Sequence, residues 1–200
     1  LAKSLQKFII EGVGEVTDVR CLREWLGALP EAIARPFLVV LSGLPGTGKT
    51  FFCRELVKRV TAVVLESDRL RKVLFPVPDY SPEESARLFG AAHRLTGELL
   101  ERGIPVIFDA TNISEHSREG LCKIAGRLGV KLVLVRVAAA PEVVHQRLSS
   151  SQDRGHSDAG WDVYLMMRQQ EERIRRRHFT VDTTEDTQLA VDRIVREINR

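Results

Sequence analysis

Residues 43–50 read GLPGTGKT and match the spacing G-x-x-x-x-G-K-[ST] at every fixed position. Gly43, Gly46 and Gly48, with Leu44, Pro45 and Thr47 between them, let the backbone curl. Successive N–H groups then face inward and bind anionic oxygens. A helix that starts near Gly48 adds the positive end of its dipole. Lys49 is placed to reach the β- and γ-phosphates of a nucleoside triphosphate, and Thr50 to set its hydroxyl on Mg²⁺. ATP and Mg²⁺ are therefore the expected ligands. A glycine-rich turn with a chance Lys-Thr pair is the competing explanation, and the strand before it and helix after it disfavour that.

Acidic residues extend the chemistry. VIFDATN ends an apolar run on Asp109, a carboxylate placed to hold Mg²⁺ directly or through water. Ala110 follows it, where many ATP-hydrolysing motors carry a glutamate that activates water, so hydrolysis is disfavoured against transfer. Transfer to a hydroxyl needs a base near the γ-phosphate, and ESDRLR (66–71) offers Asp68. Arg71 lies three residues on, on the same face of a starting helix, suited to an acceptor anion. Asp68 also serves as a helix cap in this reading.

Positioning these groups requires a sheet. FLVVLS (37–42), AVVLES (62–67), IPVIFDA (104–110), KLVLVRV (131–137) and HFTVDT (178–183) read as buried strands. Helical patterns cover 49–60, 69–75, 82–102, 115–128, 141–149, 160–177 and 187–199. Buried strands alternating with helices imply an α/β fold, a parallel sheet covered on both faces. Ligands bind at the carboxyl ends of such strands. The expected architecture is a P-loop NTPase three-layer α/β/α sandwich with a five-stranded parallel sheet and a helical lid.

GLPGTGKT, SDRLR and DATN, in this order, resemble the P-loop kinases that include polynucleotide 5′-hydroxyl kinases, zeta-toxin-like kinases and chloramphenicol phosphotransferase-like enzymes. The likeness covers roughly 37–198. It implies that Asp68 is the general base and that Arg71 contacts an acceptor phosphate. It places Thr111, Asn112 and Arg118 on the acceptor side. One departure is present. The phage-type kinase carries its acid directly before T-N, whereas Ala110 intervenes here, which favours a Mg²⁺ role for Asp109.

A lid that excludes water and supplies positive charge is expected over the phosphates. QRLSSSQDRGHSDAGWD (146–162) suits it, with Arg154 as a catalytic lid arginine and Arg147 on phosphate or adenine. Ser157 or Asp158 would cap the helix that follows. Thr183, after the last strand, is a candidate adenine contact, because related folds rest the adenine there. EERIRRRH (171–178) reads as a solvated helix end, with Glu171 paired to Arg175 and Glu172 to Arg176. Trp161 is expected to pack the lid helix, and Cys53 to lie in the core.

The 200 residues, 44% hydrophobic, suit one domain, 37–200, preceded by a helical segment 1–36. That segment either packs on the core or belongs to an upstream domain. The chain opens on Leu1 and reads as a fragment of something longer. A formal charge of +3 does not by itself indicate a nucleic-acid binder. Cys21, Cys53 and Cys122 lie too far apart in sequence for a CxxC pair, so a reducing, cytoplasmic setting is expected. No apolar run suits a membrane span. The expected activity is ATP- and Mg²⁺-dependent transfer of the γ-phosphate to a hydroxyl, leaning to a polynucleotide or nucleotide 5′-OH. A small-molecule acceptor (antibiotic, sugar or nucleoside) and an ATP-binding module of a larger protein are the alternatives. Oligomeric state is not legible.

Overall fold

The computed structural model describes residues 16–150 and 160–200. Helix α1 is described over 16–26, and the elements that follow are β1 (Phe37–Ser42), α2 (Lys49–Val57), β2 (Val63–Glu66) and α3 (Ser67–Leu74). Then come α4 (Pro82–Glu101), β3 (Val106–Asp109), α5 (Glu115–Leu128) and β4 (Lys131–Ala138). The chain ends with α6 (Pro141–Ser149), α7 (Trp161–Gln169), β5 (Phe179–Asp182) and α8 (Gln188–Ile198). The strands form one five-stranded sheet in the order β2-β3-β1-β4-β5. Every pairing is parallel. All carboxyl ends therefore lie along one edge, and the glycine loop leaves that edge from the middle strand.

Alternation along β1 sorts its side chains into two cores. Leu38 and Val40 join Leu65, Phe108 and Leu134 under α1, α4 and α5. Phe37, Val39 and Leu41 join Val133 and Val135 under Phe52 and Leu56 of α2 and Val191 and Ile194 of α8. Cys53 is buried in the second core. A third cluster sits at the carboxyl edge. There Leu44 of the loop and Ile113 meet Val144 of α6 and Tyr164 of α7. Trp161 stacks on Tyr164 at 4.8 Å and meets His145 edge-on at 4.7 Å, which ties α7 to α6.

Four expectations are corrected. The helix expected over 160–177 stops at Gln169, and 170–178 is irregular. The expected Glu171–Arg175 and Glu172–Arg176 pairs are replaced: Glu171 takes Arg136 at 2.9 Å, and Arg176 reaches Glu119 at 3.2 Å. Tertiary contacts override the local pattern. The Glu172 N–H donates to the Ile113 carbonyl at 2.9 Å, and Ile174 inserts into the first core beside Leu121 and Cys122. The N-terminal segment is helical only to residue 26 among its described residues. Gly27, at φ +65°, ends that helix, since a residue with a Cβ is disfavoured there. Helix α3 starts earlier than expected, so Asp68 lies in its first turn, after an N-cap at Glu66.

Helix α1 packs on the domain. Val19 and Leu22 are buried in the first core, and Asp18 receives a two-pronged ion pair from Arg87 of α4 at 2.9–3.2 Å. Farther on, the Ile33 N–H donates to the Gly103 carbonyl at 2.8 Å. Leu22→Ala should therefore cost about 2–5 kcal/mol in urea unfolding, as buried Leu truncations do. A loss under about 0.5 kcal/mol, the range of neutral surface changes, would mean that α1 is separable from the core.

Candidate active site

The glycine loop is shaped from three sides. A Cβ on Gly43 would clash with the Val137 carbonyl oxygen of the neighbouring strand. On Gly46 it would meet Val144 and Leu148 of α6, and on Gly48 it would meet Thr183, all near 3 Å. Gly46 and Gly48 also hold positive φ, +74° and +88°, which turns the chain into α2. Inside the curl, the Thr47 hydroxyl donates to the Leu44 carbonyl at 2.7 Å. The Lys49 ammonium donates to the same carbonyl at 2.9 Å. Desolvation lowers the Lys49 pKa, against the opposing fields of Asp109 and Asp68.

Carboxylates face this lysine from the ends of the adjacent strands. Asp109 closes β3, is buried, and accepts from the Thr50 hydroxyl at 3.1 Å. Burial pushes its pKa up to about 6, with Glu66 and Asp68 adding and Lys49 and Thr50 opposing. Glu66 stands beside Asp109 in the β2–β3 register. It is buried and holds Arg69 at 2.9 Å. Sequence reading passed over Glu66, because no motif marks it and only the strand register sets it beside Asp109. Asp68 follows in the first turn of α3, partly exposed. Thr50 and Asp109 offer Mg²⁺ two hard oxygen donors in contact, which fits its preference. Among the described residues no group of three or more His, Cys, Asp or Glu is placed to hold a metal. Further ligands would come from water and phosphate oxygens.

On the other side of the loop, the sequence-nominated acceptor residues are wired into the chain. The Thr111 carbonyl accepts from the Gly43 N–H at 2.8 Å. Asn112, buried at φ +44°, donates its side-chain amide to the Leu41 carbonyl at 2.8 Å. Its own carbonyl accepts from Ser42 Oγ at 2.9 Å and from Arg118 at 2.8 Å. Arg118 is buried and also reaches Glu115 at 3.2 Å and the Glu172 carbonyl at 3.3 Å. These residues splice β1, β3, α5 and the 170–178 segment at the sheet edge. Arg71, also buried, forms an ion pair with Glu84 and donates to Ser85 Oγ at 3.2 Å.

Arg147 lies at the root of the expected lid. Its guanidinium donates to the Thr183 hydroxyl at 2.8 Å, to the Thr183 carbonyl at 2.9 Å and to the Gly46 carbonyl at 3.4 Å. Thr183 is buried, and its hydroxyl donates onward to the Thr47 carbonyl at 2.7 Å. The two residues thus clamp α6 and the turn after β5 onto the glycine loop. Arg154, Ser157 and Asp158 lie outside the described residues.

The chain and its fold resemble known proteins. A family model described as an AAA domain matches residues 38–174. The chain is similar to L-seryl-tRNA(Sec) kinase of Methanococcus maripaludis, with 30% identity over 115 residues, 55% of this chain and 44% of that protein. The match thus spans less than half the length of that relative. The fold is similar to a crystal structure of APE1195, with a TM-score of 0.69 and 20% identity over 84% of this chain and 98% of that one. It is also similar to the APS kinase CysC of Mycobacterium tuberculosis solved with AMPPNP and APS, with a TM-score of 0.64 and 15% identity over 83% and 99%. With the family model covering most of its length, including the glycine loop and both strand-end carboxylates, the chain belongs to the AAA-domain family of P-loop proteins that this model describes.

Proposed function

We propose that this chain transfers the γ-phosphate of ATP to the hydroxyl of an acceptor, with Asp68 as the base. The observation that carries the reading is the convergence of Lys49, Thr50, Asp68 and Asp109 at the end of the sheet where the glycine loop opens. The loop N–H groups and the α2 N-terminus cradle the phosphates. Lys49 neutralises charge that moves toward the β–γ bridging oxygen. Thr50 and Asp109 would hold Mg²⁺, which when bound screens the β- and γ-oxygens. Asp68 takes the acceptor's hydroxyl proton as the new O–P bond forms and ADP leaves. At the same edge, Leu44 of the loop packs into an apolar cluster with Ile113, Val144 and Tyr164.

Among acceptors, the DxxR and T-N resemblance supports a polynucleotide or nucleotide 5′-hydroxyl, and the relative named as a tRNA kinase is compatible with it. The ion pair of Arg71 with Glu84 favours a second reading, a small acceptor with no phosphate at that point.

Lys49→Ala should lower transfer by about 10²-fold or more, the usual worth of a preorganised charge on the transition state. Undiminished turnover by this variant would overturn the kinase reading. Asp68→Asn keeps the shape and should lower kcat by about 10²–10⁴-fold. Its affinity for Mg·ADP, measured by calorimetry, should stay close to wild type. Equal losses of ADP affinity and turnover would instead give Asp68 a structural role.

Protons and Mg²⁺ compete for Asp109. Its raised pKa means that the carboxylate is lost as pH falls through about 6. At limiting Mg²⁺, turnover should fall across that point, and excess Mg²⁺ should move the inflection to lower pH. An inflection that ignores Mg²⁺ concentration would separate Asp109 from metal binding.

A further inference from the structure

Beside the proposed base stands a unit that neither the triphosphate nor the metal uses. Arg71 follows Asp68 by one helical turn on α3, so the two share a face. Its guanidinium is buried and ion-paired with the buried Glu84 near the start of α4. The Glu84 carboxylate also accepts from the backbone N–H of Asp79 at 2.8 Å and of Tyr80 at 3.3 Å. Its own N–H is capped by Ser81 Oγ at 3.1 Å. One carboxylate therefore fixes both the arginine and the loop joining α3 to α4.

Tyr80 completes the unit. Its ring lies over the Arg71 guanidinium, 4.8 Å from the centroid. The residue is 49% exposed, and Val77 in the same loop is 88% exposed. Its backbone holds φ +57°. Bulky residues rarely occupy that region, and glycine would occupy it without strain. Strain kept at a partly exposed aromatic, whose ring covers the arginine one helical turn from the candidate base, points to a use for the ring where it stands.

We infer that Glu84 and Arg71 are the foundation, and the Tyr80 ring the recognition surface, of an acceptor wall that takes a flat, uncharged group rather than an anion. The inference deepens the kinase reading and rests on Asp68 lying on the acceptor side. An anion at Arg71 would have to displace Glu84 and leave that carboxylate buried without its partner. A base or other planar ring can instead stack on the outer face of Tyr80, whose inner face is already held by the cation.

Calorimetry on the chain saturated with Mg·ADP tests this, because the phosphate cradle is then filled. Inorganic phosphate should show no saturable millimolar binding to the wild type. Glu84→Gln should bind it at least ~10-fold better, since the guanidinium regains a free charge for a charge-assisted bond. The double variant Glu84→Gln/Arg71→Ala should lose that gain. Phosphate binding by the wild type that Arg71→Ala removes would overturn the inference.

In the same format, adenosine should bind better than ribose and no worse than adenosine 3′-monophosphate. Tyr80→Gly should weaken adenosine about 10-fold, the scale of one lost stacking contact, while raising the thermal midpoint. Tyr80→Phe should restore the affinity. Equal binding of all three ligands, a preference for the 3′-phosphate, or an adenosine affinity unmoved by Tyr80→Gly would each overturn the inference. None of these readouts needs turnover. Expected binding without any γ-phosphate transfer would count against the kinase reading alone.

Discussion

The carboxyl edge of the sheet depends on one electrostatic constraint: opposed charges gathered where burial disfavours each of them. Desolvation works against the Lys49 charge, and the fields of Asp109 and Asp68 work for it. The same burial works against the Asp109 charge, and Glu66 across the β2–β3 register makes it worse. Neither sign is comfortable alone. On the proposed function, a triphosphate beside Lys49 and a divalent cation beside Thr50 and Asp109 would each relieve one half of this arrangement. Charges fixed before the ligand arrives need little reorganisation during reaction, which is where electrostatic catalysis gains most.

Holding those charges still requires a rigid loop, and the loop is held from outside. Gly43 is pressed on β4, Gly46 on α6 and Gly48 on Thr183. Arg147 bridges the last two by bonding Thr183 and the Gly46 carbonyl together. Helix α6, which leads toward the expected lid, is thus seated on the backbone of the phosphate loop itself. A shift of the Gly46 carbonyl would be felt in the last turn of α6 through a direct hydrogen bond from Arg147. Close packing makes such contacts discrete rather than elastic.

Much of this was legible because its causes are local. The apolar runs marked the strands, and β1, α5 and α6 have the bounds that their punctuation implied. The loop spacing named its residues without help from the fold. The rest is decided by partners distant in sequence. Residues 171–176 carry helical Glu–Arg spacing, yet Ile113, Arg136 and the buried site of Ile174 hold that stretch irregular. Glu66 has no motif and acquires meaning only from strand register. The spacing of Asp68 and Arg71 placed both on one face, but nothing in it indicated that Glu84 occupies the guanidinium.

Strain gives the last clue to how the edge is divided. Among the described residues, Tyr80 and Asn112 are the non-glycines at positive φ. They do different work. Asn112 is a residue type that tolerates this region, and it is buried with its amide and carbonyl bonded into β1 and α5. Its conformation serves the splice behind the loop. Tyr80 is a type that resists the region, stands partly exposed, and is held there by Glu84 and Arg71. A fold seeking stability alone would place glycine at that position. That an aromatic occupies it argues that the acceptor wall, rather than the scaffold, sets the residue there, in keeping with stability conceded at sites of function.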